Sequence, residues 1–381
     1  MHICFIEDTQ LHGGTQIWVS EAVRAFLAAG HDVTVLTAAD GFNAVDTASS
    51  DARVVTYDHG DVTARDARHR EIWTGALDGA DVAVCTVHPP RNGFHCSVFA
   101  AECIADAGLD TVLEPKTGTI VPEYRAEFYA PPFDIRSHVI SITDFTRRYL
   151  IDTYGLPADR VSLIYQGTDI ETFTPDPSRA AEARRRYPVR DGAAPVIGCV
   201  GSFEERKGQV LLLDALARVR EVLPDVHLLF VGDGPDESLL RGRVAELGLE
   251  RHVTFFPFTT EPVYVFEVID LLALPSTHKE GLPNVLLEAL AMGVPALSSR
   301  LAGTPEVVVE GVTGLLVDPG DVAAIAAGIQ RLGSDDDARG RMAAAGRQMM
   351  CDEFDKRRQF DAFLRHFAEV SSGEVPSGDD G

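Results

Sequence analysis

The chain has 381 residues, 45% hydrophobic and 24% charged, with a formal net charge of −24. That length exceeds what one hydrophobic core usually serves, so two domains are expected. The acid excess without a basic stripe disfavours nucleic acid as a partner, and no apolar run approaches the length of a membrane span.

Only four of the 34 basic residues are lysines: Lys116, Lys207, Lys279 and Lys356. An acidic, lysine-poor chain looks like proteins of salt-loving organisms, where salt screens self-repulsion. A coding bias explains arginine over lysine but not the surplus of acids. The six cysteines form no C-x-x-C pair, and several sit in apolar runs (ICFI, VAVC, IGCV). There they act as small core residues, expected to be free thiols in a reducing compartment. The first strand begins at His2 and leaves no room for a signal peptide, so a cytoplasmic protein is expected.

In chain order, HICFIE reads as a strand followed by a glycine-bearing loop and an amphipathic helix. Ile17, Val19, Ala22, Val23, Phe26 and Leu27 are predicted to share one face, and Gly30 ends the helix. This strand–helix–strand opening predicts a doubly wound parallel sheet, which binds ligands at the carboxyl ends of its strands. Gly13-Gly14-Thr15 lies at such an end. It is not G-x-G-x-x-G and carries no dinucleotide fingerprint. Residues 60–77 are polar and read as helical. DVAVCTVH is a strand reaching His88, HCSVFAAECIADAG a helix, and DTVLEP a strand leading into Lys116. SHVISIT, a helix from Asp144 and RVSLIYQG complete an alternating first domain over 1–173.

Residues 174–195 carry prolines and no sustained apolar period and read as a linker. Its Arg184-Arg185-Arg186 run reads as a solvated helix face, with contact to anionic lipid as the sharper alternative. The second domain, 196–350, opens with an apolar strand ending at Gly201-Ser202, then Arg206-Lys207-Gly208 before a helix. HLLFVGDGP continues G-D-G-P-D-E, so this fingerprint fails too, and a dehydrogenase is disfavoured. Gly303 and Gly314 read as turns. A helix over 351–370 and a disordered polar tail over 371–381 close the chain.

The most informative stretch is Pro275 to Gly303. An apolar strand ends in a polar loop at Glu280-Gly281-Leu282-Pro283-Asn284, and a short helix then runs to Gly293. Free backbone N–H groups at such a helix start make an anion-ready pocket. Glu280 and Glu288 flank it as acceptors for hydroxyl groups. Phosphate plus hydroxyls describes a sugar nucleotide. The bland alternative is an ordinary strand–loop–helix with Glu288 as a solvated helix residue.

EGLPNVLLEALAMGVP resembles the Glu-x7-Glu signature of the retaining GT-B glycosyltransferases of group 1. The resemblance implies an α/β fold, with two Rossmann-like doubly wound parallel-sheet domains facing a cleft, and a last helix crossing back to the first domain. It implies a retaining transferase moving a sugar from a UDP- or GDP-sugar to a lipid-linked or saccharide acceptor. No cofactor or metal is expected, and peripheral membrane contact is compatible with it. Glu280 and Lys207 are its catalytic candidates. Arg206, Gly281, Leu282, Pro283, Asn284, Glu288, Gly13, Gly14 and Thr15 are its donor-binding candidates.

Two departures stand out. Many relatives have an arginine where Ser202 stands, and Arg206 is expected to compensate. Many place a histidine where this chain reads Glu114-Pro115-Lys116-Thr117, so no catalytic histidine is carried over. His88 and Lys116 remain as acceptor-side candidates. A nucleotide-sugar epimerase on the same fold and a catalytically inactive partner subunit are the alternative readings.

Overall fold

The computed structural model describes residues 1–9, 13–58, 66–87, 95–120 and 124–374. The chain divides into two compact units, Met1–Tyr165 with Gln359–Gly381, and Gln166–Arg358.

The first unit contains β1 (His2–Glu7), α1 (Gly14–Ala28), β2 (Asp32–Ala38), α2 (Phe42–Asp46), β3 (Arg53–Tyr57) and α3 (Ala67–Leu77). It continues through β4 (Val82–Thr86), α4 (Cys96–Ala107), β5 (Val112–Thr117), β6 (Val139–Ser141), α5 (Asp144–Asp152) and β7 (Val161–Leu163). Its seven strands run in the order β3-β2-β1-β4-β5-β6-β7, and every pairing is parallel. A parallel sheet covered on both faces needs strands apolar on both faces. β4, VAVCT, is buried at every position.

The second unit contains α6 (Ala180–Arg186), β8 (Val196–Val200), α7 (Gln209–Val219), β9 (His227–Val231), α8 (Glu237–Leu247), β10 (Val253–Phe256) and α9 (Val263–Phe266). β11 (Leu271–Leu274), α10 (Asn284–Ala291), β12 (Ala296–Ser299), β13 (Gly314–Val317), α11 (Val322–Ser334) and α12 (Asp336–Glu353) follow. Its strand order is β10-β9-β8-β11-β12-β13, again parallel. The order reverses between β8 and β11, the switch point where doubly wound sheets hold ligands.

The last helix, α13 (Lys356–Ser372), returns the chain to the first unit. Phe363, Phe367 and Val370 join Phe5, Trp18 and Phe26 in one core. The Trp18 indole N–H donates to Gln359 Oε1 at 3.2 Å, and its ring lies 5.1 Å from that of Phe363. This packing corrects the face expected for α1. Ile17 is exposed while Trp18 is fully buried, because the helix must serve both the sheet and α13. Residues 351–353 finish α12 rather than opening α13.

Within the stretch 60–77, helix α3 covers Ala67–Leu77, capped by the Asp66 side chain accepting from the His69 N–H. Residues 60–65 lie outside the described residues. The stretch 174–195 packs within the second unit: Arg179 pairs with Glu267 at 3.0 Å, and Tyr187 packs edge-on against Phe256. Arg185 and Arg186 pair with Glu182 on the same helix, as a solvated face does. Gly314 is not in a turn. It opens β13, where an added Cβ would lie 2.2 Å from the Ala296 carbonyl oxygen. Tail residues 375–381 lie outside the described residues.

Candidate active site

Two loops leave the second sheet at its switch point. The loop after β8 carries Arg206 and Lys207 on a 3-10 turn, Glu205–Lys207. The loop after β11 carries Ser276 and Glu280. The strands are neighbours, so residues 73 apart in sequence meet. Lys207 Nζ lies 2.5 Å from Glu280 Oε1. Ser276 Oγ donates to the same oxygen at 2.8 Å, and Arg206 Nη1 approaches it at 3.3 Å.

The backbone locks these loops together. The Thr277 N–H donates to the Arg206 carbonyl at 2.8 Å. Gly208, at φ +69°, packs so closely under the β11 loop that a Cβ would lie 2.1 Å from the Pro275 carbonyl oxygen. Lys279 and Ala302 adopt the left-handed region, at φ 54° and 49°, which costs energy for residues with a side chain. They flank one contact: Ala302 immediately precedes Gly303, whose N–H donates to the Gly281 carbonyl at 3.2 Å, and Lys279 lies two residues before Gly281. Strain of this kind is retained where surrounding contacts over-determine it.

α10 begins at Asn284 behind Pro283, with no side-chain cap on its first turn. An uncapped helix start keeps N–H groups available for an anion. Gly281 and Leu282 are buried in the loop; Pro283 and Asn284 are half-buried. Glu288 sits half-buried in the second turn.

Ser202 is used through its backbone. Its carbonyl accepts from the buried Gln209 side chain at 2.8 Å, fixing the start of α7. Arg206 also donates to Glu204 at 2.8 Å. Burial pushes the Glu204 carboxyl up, but hydrogen bonds from Ser202 and Arg206 outweigh it and hold Glu204 below its ordinary value. Burial pushes the Cys199 thiol up to about 12, against the pull of Lys207. That cysteine therefore stays protonated and inert. Sequence reasoning missed Ser276 and Gln209. The only signal for Ser276 is its place at the end of β11, four residues before Glu280.

The remaining candidates lie in the first unit. Gly13 is the N-cap of α1, Gly14 is exposed in its first turn, and Thr15 is half-buried. His88 lies outside the described residues. Lys116 is buried on β5, its Nζ 3.9 Å from the centroid of the Trp18 ring. Burial pushes it down to about 7, with Glu7 pulling the other way. Glu7 is itself held by Gln16 at 3.0 Å and by the Thr86 hydroxyl.

The unfolded lysine keeps its proton up to its ordinary value of 10.5, whereas the folded one releases it near 7. Between those values the unfolded chain binds more protons, so stability rises with pH. Denaturant titrations of wild type and Lys116→Met should differ by an amount that climbs about 1.4 kcal/mol per pH unit from pH 7 to 10. A pH-independent difference would show that Lys116 titrates normally.

The architecture is that of the GT-B glycosyltransferases. HepE from Anabaena, solved in complex with UDP, superposes with a TM-score of 0.83 over 97% of this chain and 100% of its own, at 22% identity. Residues 181–349 match the family model for glycosyl transferases group 1, and they lie wholly in the second unit. A GDP-mannose-dependent alpha-(1-6)-phosphatidylinositol monomannoside mannosyltransferase from Mycolicibacterium smegmatis is 34% identical over 57% of this chain and 58% of its own length. A D-inositol 3-phosphate glycosyltransferase from Corynebacterium urealyticum is 38% identical over 48% of this chain and 45% of its own. The chain thus spans about half the length of these curated relatives.

Proposed function

We propose that this chain is a retaining glycosyltransferase that moves a sugar from a UDP- or GDP-sugar to a lipid-linked or saccharide acceptor. The observation that carries the reading is the convergence of Lys207, Arg206 and Ser276 on Glu280 at the switch point of the second sheet. Lys207 and Arg206 are the cations that a diphosphate leaving group requires as its charge develops. The uncapped start of α10 adds positive potential and N–H donors. Donor phosphate would compete with Glu280 for these cations and free that carboxylate to orient the transferred sugar. Glu288, one helical segment on, accepts from the ribose hydroxyls. These groups supply the charge a metal supplies in other transferases, so the transfer is read as metal-independent.

The names of the relatives support this choice of substrates. One uses GDP-mannose and a phosphatidylinositol mannoside, and HepE binds UDP. No helix among the described residues is long and apolar enough to cross a membrane, so contact with a lipid acceptor would be peripheral. We place the transfer in the cytoplasm.

The test is a panel of nucleotide sugars in high salt, scored by thermal shift and then by transfer. A UDP- or GDP-sugar should raise the midpoint, since a ligand selective for the folded state stabilises it. The product should keep the donor's anomeric configuration by NMR. Consumption of donor with no acceptor present, or inversion at the anomeric carbon, would overturn the reading. Within it, Glu288→Ala should raise the donor KM by about tenfold, the cost of one or two hydrogen bonds to a charged acceptor, with kcat nearly unchanged. An equal fall in kcat would move Glu288 into the chemical step.

A further inference from the structure

Glu114, His138 and His366 are far apart in sequence and meet inside the first unit. Glu114 lies on β5, His138 just before β6, and His366 on α13. All three are buried: Glu114 is 0% exposed, His138 7% and His366 5%. A metal-ligating atom from each lies within 4.8 Å of the others. His366 Nε2 and Glu114 Oε2 are 3.2 Å apart. Two ligands of a tetrahedral zinc ion, at about 2.0–2.1 Å from it, are separated by roughly this distance.

The proton positions are also set. His138 Nε2 is 2.8 Å from the Asp159 backbone carbonyl, which can only accept, so Nε2 carries the hydrogen. In the neutral ring Nδ1 then presents a lone pair. Nδ1 has no hydrogen-bond partner among the described residues, and neither does Glu114 Oε1. Buried polar atoms are rarely left this way, because a desolvated group without a hydrogen bond costs stability. A histidine whose far nitrogen donates to a backbone carbonyl is the arrangement that orients metal ligands.

We infer that Glu114, His138 and His366 form a transition-metal site, suited to zinc, that clamps α13 onto β5 and β6. Two imidazoles and one carboxylate are a recognised zinc set, with a fourth position for water. On binding, the metal takes the His366 Nε2 lone pair, and the proton there moves to Nδ1 or to solvent. Glu114 exchanges its hydrogen bond from His366 for the metal. The site belongs to the first unit and is separate from the chemistry proposed for the second.

The test uses the full chain, stripped with chelator and titrated with zinc and, separately, cobalt(II). One equivalent of zinc should be retained through dialysis and raise the thermal midpoint by about 3 °C or more. Cobalt should give the intense visible bands of a low-coordinate site. His138→Gln and His366→Gln should each lose the bound equivalent and the shift, whereas His278→Gln, on an exposed loop, should keep both. Retention of zinc by both buried-site variants, or no stoichiometric zinc in the wild type, overturns the proposal. Should either variant fail to fold, the wild-type cobalt spectrum decides: weak bands of an octahedral surface ion reject the site, and intense ones support it.

Discussion

Lys207→Ala is expected to lower turnover by about 10²- to 10³-fold, the loss seen when one preorganised donor is removed from a developing anion. Its ammonium stands 2.5 Å from Glu280, on a side chain only 18% exposed. Water therefore cannot readily replace it. Arg206 touches the same oxygen from 3.3 Å and splits its donors with Glu204, so it can compensate only in part. Glu280→Gln makes the complementary case. It removes the competitor for Lys207 and Arg206, so nucleoside diphosphate should bind at least as tightly while turnover falls. Lys356→Ala, at the start of α13, serves as the control. Steady-state kinetics and nucleotide titrations on the three variants decide the matter. Unchanged kcat in Lys207→Ala and Glu280→Gln alike would reject the assignment of this site.

Gly208→Ala is the second large effect. The glycine sits at φ +69°, and a methyl group there would lie 2.1 Å from the Pro275 carbonyl oxygen. Adopting positive φ with a side chain costs about 1 kcal/mol. The clash adds to this, because a backbone carbonyl at the end of β11 cannot turn aside like a flexible side chain. Relief requires the Lys207 and Glu280 loops to part. A displacement of about 1 Å at reacting groups costs on the order of 100-fold in rate. Gly208→Ala should therefore lose transfer by a similar factor and also lower the thermal midpoint. A variant with native midpoint and native kinetics would mean that the two loops are positioned independently.

The sheets were legible in the sequence because parallel strands buried on both faces read as unbroken apolar runs, VAVC and IGCV among them. The helix after β11 was legible from its punctuation, Pro283 before and Gly293 after. The phase of α1 was not. A helix packed on two sides carries apolar residues around most of its girth, and Ile17 and Trp18 cannot then be ranked by periodicity. The contact of Lys207 with Glu280 follows from topology: both leave strands that flank the switch point. Ser276 gave no comparable signal, since a serine at a strand end is common. Lys279 and Ala302 gave none, because left-handed backbone is anticipated at glycine and asparagine, not at lysine or alanine. The Glu114, His138 and His366 cluster was equally hidden. Its members come from two strand regions and a helix more than 200 residues away, with no ligand spacing to read. The three side chains come together only once α13 docks.

The docking of α13 also bears on how the protein is made. A ribosome finishes residues 1–165 well before it delivers Phe363 and Phe367. The nascent first unit must wait, with Phe5, Trp18 and Phe26 lacking their lid, while roughly 190 further residues are added. At 5–20 residues per second that is about 10–40 s. The contiguous second unit can complete itself in the meantime, so elongation speed and chaperone supply become determinants of yield.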